Sequence, residues 1–403
     1  MFTAAELRYR QPVECDAVAI GQSVLMVGDY SSIGWGLGRK GGSTKMLSKE
    51  HRIRGFDALR AFAVTLVILS HVGIIAAAQS PLWKSFFSVF NANYGVKTFF
   101  VLSGFLITTL LAQEFDRSGS VNVPGFMLRR VFRILPLYFL VIAIVSVLAY
   151  LGMAENKPTA RILSSILLYN FISRSDDVSY LSHLWSLAVE EQFYLFWPLI
   201  CSALIARRWL LSAFAIGIVC LCGLGKMQLA GSTFESTYYP ERWTIPAIYP
   251  IMIGSFAALT IDPFRWLARS LPFLALSLFA ISIPLIAWMT PFREIVDTCG
   301  IAGLIGWIYL NQSNFAVRAL DWRPLAYIGQ ISYGLYVWQG IFTGNGPYRE
   351  PPFLDIPLDP IKGALVTIPV AVLSYHLFEQ PLIDIRKRIS SRTSGALAEG
   401  ADA

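Results

Sequence analysis

Hydrophobic residues are grouped into long runs along this 403-residue chain, and short polar segments separate the runs. A helix needs about 20 apolar residues to cross a hydrocarbon core of about 30 Å. Helices are also the main structures in which a backbone satisfies its own hydrogen bonds within lipid. The pattern therefore predicts membrane helices at ten runs: 58–78, 94–112, 134–152, 184–206, 209–225, 244–260, 271–289, 294–310, 329–345 and 362–380.

A shorter apolar segment, 162–172, does not fit this series. Its 11 residues are too few for a span, so we expect it to be re-entrant or interfacial. With ten spans and a cytoplasmic N-terminus, most Lys and Arg residues of the loops fall on the cytoplasmic side, as the positive-inside rule requires. An eleventh span would move Arg207, Arg208 and every later basic cluster outside. The sequence thus predicts an all-α, polytopic transmembrane helix bundle of about ten spans, with both termini cytoplasmic.

Residues 51–388 contain all the apolar runs and form the predicted transmembrane domain. Residues 1–50 are polar and lack the apolar core of a cleaved signal peptide, so they are expected to be a disordered extension or to lie upstream of a true start at Met46. The Gly-x-Gly-x-x-Gly match at 36–41 follows no strand and opens no βαβ unit, which argues against a nucleotide site there. Residues 389–403 are expected to be a disordered cytoplasmic tail.

Composition supports a membrane protein rather than a soluble one. Hydrophobic residues make up 55% of the chain and charged residues only 15%, against about 25% in an ordinary soluble domain. The net charge of +7 comes from short clusters between apolar runs, so membrane lipids are expected as partners and nucleic acid is not. The 5 cysteines show no CxxC spacing and the 4 histidines are far apart in sequence, so neither a disulfide framework nor a metal site is predicted.

The first apolar run carries three ionisable residues, Asp57, Arg60 and His71. At 100° per residue, Arg60 and His71 lie within about 20° of each other around the helix, with His71 roughly 16 Å beyond Arg60 along it, and Asp57 lies within about 60° of both. Ionisable groups inside a membrane are costly and mark functional sites, and an imidazole can take a proton from a hydroxyl. The alternative is structural: an Asp57–Arg60 pair at the membrane entrance and a histidine that bonds a neighbouring helix.

Two arginines stand near the start of the third run, which the predicted topology places at the cytoplasmic face. Arg130 and Arg133 are three positions apart, so both can face one phosphate-bearing ligand and hold it through forked hydrogen bonds. A basic cluster at this position is also typical of a simple helix anchor. The spacing alone leaves both interpretations open.

The fourth run begins with polar and aromatic residues that are costly at membrane depth. His183 and Glu190 fall on nearly one helix face, and we interpret both as functional. Trp185 and Tyr194 accompany them, although Trp and Tyr are equally typical of an interfacial belt. The Ser103-Gly104 pair in the second run is a weaker signal, since two small residues also allow close helix packing.

Five motifs in register give the chain a recognisable signature. They are Asp57-Ala-Leu-Arg60 with His71, Gly95-Val-Lys-Thr-Phe-Phe-Val-Leu-Ser103-Gly104, Arg130-Val-Phe-Arg133-Ile-Leu-Pro136, His183-Leu-Trp185-Ser-Leu-Ala-Val-Glu190, and Ile331-Ser332-Tyr333-Gly-Leu-Tyr336-Val-Trp338. In this order the motifs resemble the acyltransferase type 3 family, and the resemblance covers roughly residues 52–388. Members of that family are multi-pass membrane O-acyltransferases that modify surface polysaccharides, nodulation factors, lipid-linked sugars and macrolides with an acyl-coenzyme A donor.

The resemblance implies a bacterial inner-membrane enzyme that transfers an acyl group, by default acetyl, from acyl-CoA to a hydroxyl of a carbohydrate, lipid-linked sugar or macrolide-type acceptor. Taken with the residue patterns, it leads us to three predicted groups. The catalytic residues are Asp57, Arg60, His71 and Glu190; the donor-binding residues are Arg130 and Arg133; and the substrate-binding residues are His183, Trp185 and Tyr194. In this hypothesis His71, oriented by Asp57 or Arg60, deprotonates the acceptor hydroxyl or briefly carries the acyl group.

Two departures from the family pattern stand out. Ala58 replaces a common glycine, and Gln339 stands where many relatives carry a histidine, which puts a role for that position in doubt. Some relatives also have a fused extracytoplasmic esterase-like domain, and the sequence is expected to represent the stand-alone form. The rival functions are a transporter or flippase of a lipid-linked sugar, whose pathway the same buried charges would line, and an inactive membrane scaffold.

Overall fold

The computed structural model describes residues 53–72, 80, 91–229, 231–282, 290–343, 360–386 and 388, and this part of the chain is helical and contains no β-strand. Its helices of eight or more residues are α1 (Phe56–His71), α2 (Ala92–Ser118), α3 (Val123–Tyr150), α4 (Pro158–Ser165), α5 (Leu184–Leu204), α6 (Arg208–Leu229), α7 (Tyr249–Thr260), α8 (Leu271–Ser282), α9 (Thr290–Leu310), α10 (Arg323–Gln330), α11 (Ser332–Thr343) and α12 (Pro360–Ser374). The predicted extension 1–50, with Met46 and the glycine match at 36–41, and the predicted tail 389–403 lie outside the described residues.

Each of the ten predicted apolar runs contains a helix, which confirms the all-α prediction. The boundaries differ most at α3, which begins at Val123 rather than at 134. The side chain of Asn122 caps this helix by accepting a hydrogen bond of 2.9 Å from the backbone N–H of Gly125, and Pro124 suits the first turn. The early start places Arg130 and Arg133 inside a regular helix, where both can face the bundle.

Among the described residues, four helical segments are long and apolar enough to cross a membrane: Ala92–Ser118, Val123–Tyr150, Leu184–Leu229 and Ile361–Arg386. The third of these joins α5 and α6 through the 3-10 turn Ile205–Arg207. Tyr249–Thr260 and Leu271–Ile281 are shorter apolar helices. These lengths support a membrane protein, whereas the full set of ten spans stays a prediction. The segment 162–172 forms the end of α4 and the 3-10 turn Tyr169–Phe171, which is too short for a span.

Helices α2 and α7 cross with their backbones in close approach. An added Cβ at Gly104 would lie 1.9 Å from the carbonyl oxygen of Ile251, and one at Gly254 would lie 2.1 Å from the carbonyl oxygen of Val101. Only glycine fits at either position, and small residues are a common means of packing membrane helices closely. The crossing holds α2 against α7 and so determines where the neighbouring Ser103 points.

Helix α1 lies at the centre of the described helices, in contact with α2, α10 and α11. Its side chains Ala63, Val64 and Val67 are at most 1% exposed, so this face is fully covered by protein. Helix α11 in turn packs against α3 and α12. The space bounded by α1, α2, α3, α5 and α11 is therefore the place where polar residues of five helices can meet.

Candidate functional site

A pocket of about 740 Å³ lies between these five helices. Five of the residues predicted from the sequence line it: Arg60, Arg130, Arg133, Glu190 and Tyr194. The structure thus brings together, from α1, α3 and α5, residues of the predicted catalytic, donor-binding and substrate-binding groups.

Arg130 is a buried cation of the pocket wall. Its side chain is buried, and its guanidinium lies 4.5 Å from the ring centroid of Tyr194 and 5.5 Å from that of Phe126. Among the residues that the structure describes, no ion pair or hydrogen bond to this guanidinium is found, and Nε is a buried atom without a partner. Stacking on aromatic rings offsets part of the cost of burying a cation, and the carboxyl of Glu191 also interacts with Arg130 electrostatically.

The other two arginines of the pocket have acidic neighbours. Arg60 donates to Asp57, with 2.9 Å between Nη1 and Oδ1, and Asp57 is buried behind the pocket wall. Arg133 lies within electrostatic range of Glu379, a buried carboxyl on the π-helical turn Tyr375–Glu379 that follows α12. The sequence did not point to Glu379, because its inward position depends on a π turn, and such turns cannot be read from the residue pattern.

Glu190 is held in a defined orientation at the pocket wall. Its Oε1 accepts hydrogen bonds from the hydroxyls of Ser103 and Tyr194, which are themselves 3.0 Å apart. Of the Ser103-Gly104 pair, the glycine makes the close helix crossing and the serine makes the contact with Glu190. A carboxylate fixed by two hydroxyls can orient a bound hydroxyl or tune a nearby charge.

His71 does not line the pocket and stands at the end of α1. Its polar neighbours are the side-chain amide of Gln339 and the backbone carbonyl of Val67, and the ring of His183 is close enough to interact electrostatically. Asp57 and Arg60 share a helix face with His71 but pair with each other, about 16 Å away along α1. The structure therefore offers Gln339 and His183, rather than Asp57 or Arg60, as the groups that can orient His71.

His183 is buried beside His71 and is tightly enclosed. Its Nε2 donates to the carbonyl oxygen of Val337, 3.1 Å away, and an added Cβ at Gly340 would lie 2.1 Å from its Cε1. Trp185, two residues later, packs edge-on against Phe100 and lies near the guanidinium of Arg242 rather than in the pocket wall. Of the predicted substrate-binding residues, only Tyr194 lines the pocket itself.

Tyr336 and Ser186 connect the pocket with the two histidines. Both line the pocket, their hydroxyls are 2.6 Å apart, and both donate to the backbone carbonyl of His183 at 3.2 and 3.1 Å. The ring of Tyr336 also meets the ring of His183 edge to face, with centroids 5.6 Å apart. The sequence signal for Ser186 and Tyr336 was the place of each in a quoted motif, although neither was predicted as a site residue.

The described residues contain no group of three or more His, Cys, Asp or Glu arranged to hold a metal ion. The hydrogen-bond donors that they offer in the pocket include three arginines and the hydroxyls of Ser186 and Tyr336, beside the single carboxyl of Glu190. Such groups bind anions, above all phosphates, in preference to cations.

Comparison with known proteins identifies the family of this chain. A family model described as an acyltransferase domain matches residues 53–376. The chain is 30% identical over 372 residues to "Putative peptidoglycan O-acetyltransferase YrhL" of Bacillus subtilis (83% of this chain, 56% of that protein) and 29% identical over 369 residues to "O-acetyltransferase OatA" of Staphylococcus aureus (84% and 58%). It thus spans little more than half the length of these relatives, and no solved structure matches it. By the extent of the family match, this chain belongs to the acyltransferase type 3 family.

Proposed function

We propose that this protein is a multi-pass O-acyltransferase of the bacterial inner membrane, which transfers an acetyl group from acetyl-CoA to a hydroxyl of a carbohydrate. Membership of the family supports acyl transfer, and the names of both relatives support O-acetylation. The name of the Bacillus relative favours a carbohydrate such as peptidoglycan over a lipid-linked sugar or a macrolide. Neither the family nor these names support a transporter. Residues 51–388 form the enzyme's membrane domain in this proposal, with both termini in the cytoplasm.

The observation that carries the proposal is the buried guanidinium of Arg130, whose Nε has no hydrogen-bond partner among the described residues. Burying a charge without a counter-charge costs free energy, which a bound anion would offset. The phosphates of coenzyme A are suitable anions, because the guanidinium fork matches a phosphate in two hydrogen bonds. Arg133 and Arg60 on the same pocket wall extend the positive surface along which a phosphate chain can lie.

The separation of the pocket from His71 suits a donor with a long arm. Arg60 and His71 are about 16 Å apart along α1, and the pantetheine arm of coenzyme A is an extended chain that places the thioester far from the phosphates. In the predicted topology the arginines face the cytoplasm, where the donor is made. Tyr336 and Ser186, which line the pocket and contact His183, would border the path of the acyl group.

His71 supplies the chemistry in either of two ways. In direct transfer, the imidazole takes the proton of the acceptor hydroxyl while its oxygen attacks the thioester carbonyl; a C–O bond forms, the C–S bond breaks, and the departing thiolate takes the proton back from His71. In the two-step route, a ring nitrogen of His71 attacks the thioester carbonyl; an N–C bond forms, the C–S bond breaks, and the departing thiolate takes the N–H proton of the imidazole. The acceptor hydroxyl then attacks the acyl-imidazole; a C–O bond forms, the N–C bond breaks, and the hydroxyl proton passes to the imidazole. Glu190, Tyr194, His183 and Trp185 would orient the acceptor or the acyl arm.

The test is acetyl transfer in inverted membrane vesicles supplied with radiolabelled acetyl-CoA and a polysaccharide acceptor. Replacing a general base typically costs 10² to 10⁴ in rate, so His71→Gln is expected to lose transfer by about that factor. The matched control is His376→Gln, since His376 is exposed and bonds only Tyr327 among the hydrogen bonds found, outside the pocket. Transfer by His71→Gln at the wild-type rate would refute the role of His71.

A further inference from the structure

Two arginines contact the ring of Tyr239, in loops that the predicted topology places outside the cytoplasm. The guanidinium carbon of Arg242 lies 3.8 Å from the ring centroid of Tyr239, and that of Arg174 lies 4.1 Å from it. Arg174 belongs to the loop between α4 and α5, whereas Tyr239 and Arg242 belong to the segment between α6 and α7. The backbone N–H of Arg174 donates to the carbonyl oxygen of Thr237 at 2.8 Å, which joins the two segments. Both guanidiniums are thus held on one ring, within reach of a single anionic group.

The two arginines keep more positive charge than the nearby ion pair neutralises. Arg174 is exposed, its Nε donates to the backbone carbonyl oxygen of Glu235 at 2.9 Å, and no carboxylate among the described residues forms an ion pair with it. Arg242 pairs with Asp177 at 3.4 Å, and the same carboxylate oxygen also accepts a hydrogen bond of 3.0 Å from Ser182. One shared carboxylate neutralises one guanidinium at most, so N–H donors remain for another anion.

A surface that reaches the candidate site, here called the outer platform, is formed by four residues: Arg174, Trp185, Tyr239 and Arg242. The guanidinium carbon of Arg242 lies 5.8 Å from a ring centroid of Trp185. Trp185 packs edge-on against Phe100, with centroids 6.2 Å apart, and Phe100 lines the pocket. Arg242 also donates to the hydroxyl of Ser182 at 3.2 Å, and Ser182 directly precedes His183. A ligand on the outer platform would therefore lie beside the end of α5 that adjoins His183.

From this arrangement we propose that the outer platform binds the acceptor carbohydrate, and that this carbohydrate carries a carboxylate. A guanidinium binds a carboxylate through two parallel hydrogen bonds and also donates to sugar hydroxyls. The partly exposed indole of Trp185 offers apolar surface to the C–H groups of a sugar ring. The contact of Trp185 with the pocket-lining Phe100 favours a ligand that enters the site over a lipid headgroup. The role as acceptor site rests on the proposed acyl transfer, whereas binding of such a carbohydrate does not.

The binding test needs no activity and uses purified protein in phosphatidylcholine nanodiscs, which leave both faces accessible. The probes are tetrasaccharides from amidase-treated peptidoglycan, which carry carboxylates, and chitotetraose, which carries none. Wild type is expected to bind the acidic probe at least about tenfold more tightly than chitotetraose. Arg174→Gln should weaken binding of the acidic probe at least about threefold, because an exposed guanidinium pair is lost. A wild type that binds neither probe, or that prefers chitotetraose, would overturn the inference.

Two variants separate an ordered site from diffuse attraction between charges. Arg161→Gln is the matched control, because it removes one charge on the same predicted side from a guanidinium that bonds Asn156 at 2.6 Å. Its affinity for the acidic probe should stay within about twofold of wild type. Tyr239→Leu keeps both platform charges but removes the ring that holds them, so it should lose affinity as Arg174→Gln does. Equal losses in Arg161→Gln and Arg174→Gln, or full affinity in Tyr239→Leu, would make the attraction diffuse and refute an ordered site.

Lipid and activity measurements complete the test. If phosphatidylglycerol added to the nanodiscs abolishes binding of the acidic probe, the outer platform is a lipid headgroup site and the inference fails. In acetyl transfer by protein in nanodiscs, Arg174→Gln should raise the KM for the acidic acceptor at least about threefold and change the KM for acetyl-CoA less than about twofold. The reverse pattern would place Arg174 with the donor and overturn the inference. A wild type that binds the acidic probe but transfers no acetyl group would count against the proposed function alone.

Discussion

Replacing Arg130 with methionine should separate binding of the donor from stability of the ligand-free protein. Among the described residues Arg130 forms no close ion pair, and Glu191 interacts with it only electrostatically, so Arg130→Met breaks no close ion pair. It keeps an apolar side chain of similar length against Tyr194 and Phe126, and it removes a buried charge. The ligand-free variant is therefore expected to melt at the wild-type temperature or slightly above it.

The effect on coenzyme A should be large. A hydrogen bond to a charged group contributes about 1.5 to 3 kcal/mol, so loss of the Arg130 contacts should weaken donor binding by roughly 10- to 150-fold. At a coenzyme A concentration of 100 times the wild-type Kd, binding stabilises the wild type by about 2.7 kcal/mol. A variant that binds 100-fold more weakly would gain only about 0.4 kcal/mol at the same concentration.

The measurement is the melting temperature of detergent-solubilised protein with and without coenzyme A, together with the KM for acetyl-CoA in vesicles. Arg265→Met is the matched control, because Arg265 forms a surface pair with Asp262 at 2.7 Å and does not line the pocket. The control should keep both values. Wild-type stabilisation of Arg130→Met by coenzyme A would refute the assignment of the phosphates to this residue. A large fall in the ligand-free melting temperature of Arg130→Met would refute the account of a buried charge without a close ion pair.

Three further outcomes are expected. Asp57→Asn removes the charged partner of Arg60 in a mostly buried ion pair, so the free energy of unfolding should fall by about 3 kcal/mol and the melting temperature should fall clearly. An unchanged melting temperature would show that the pair does not stabilise the fold. Gly104→Ala should sharply reduce the amount of folded protein in fluorescence size-exclusion profiles. In the control Gly217→Ala the added Cβ meets no atom within 4 Å, so this variant should be neutral or stabilising by up to about 1 kcal/mol. Equal profiles for the two variants would contradict the close helix crossing. Tyr336→Phe should lower kcat by about 2- to 10-fold without changing coenzyme A stabilisation, and a loss of that stabilisation instead would place Tyr336 in the donor site.

The sequence by itself determined the class of fold and much of the chemistry. The apolar runs are longer than the core helices of a soluble protein need, and a backbone within lipid satisfies its hydrogen bonds mainly as a helix. Each run contains a helix in the structure. Charged residues within such runs stand out because they are costly there. The residue pattern and the family resemblance together therefore indicated four residues that line one pocket: Arg60, Arg130, Arg133 and Glu190. Even the prediction that 162–172 is too short to span needed only its length.

Only the tertiary structure decided how these residues are grouped. Helix periodicity placed Arg60 and His71 on one face, yet a shared face says nothing about which neighbouring helix covers each position. In the structure Arg60 lines the pocket and pairs with Asp57, whereas the neighbours of His71 are Gln339 and His183. Contacts between helices far apart in sequence depend on close backbone crossings and on turns that shift the register, such as the π turn of Glu379. A sequence pattern shows which residues share a face of one helix. How closely two helices approach depends on both segments together and cannot be read from either segment alone.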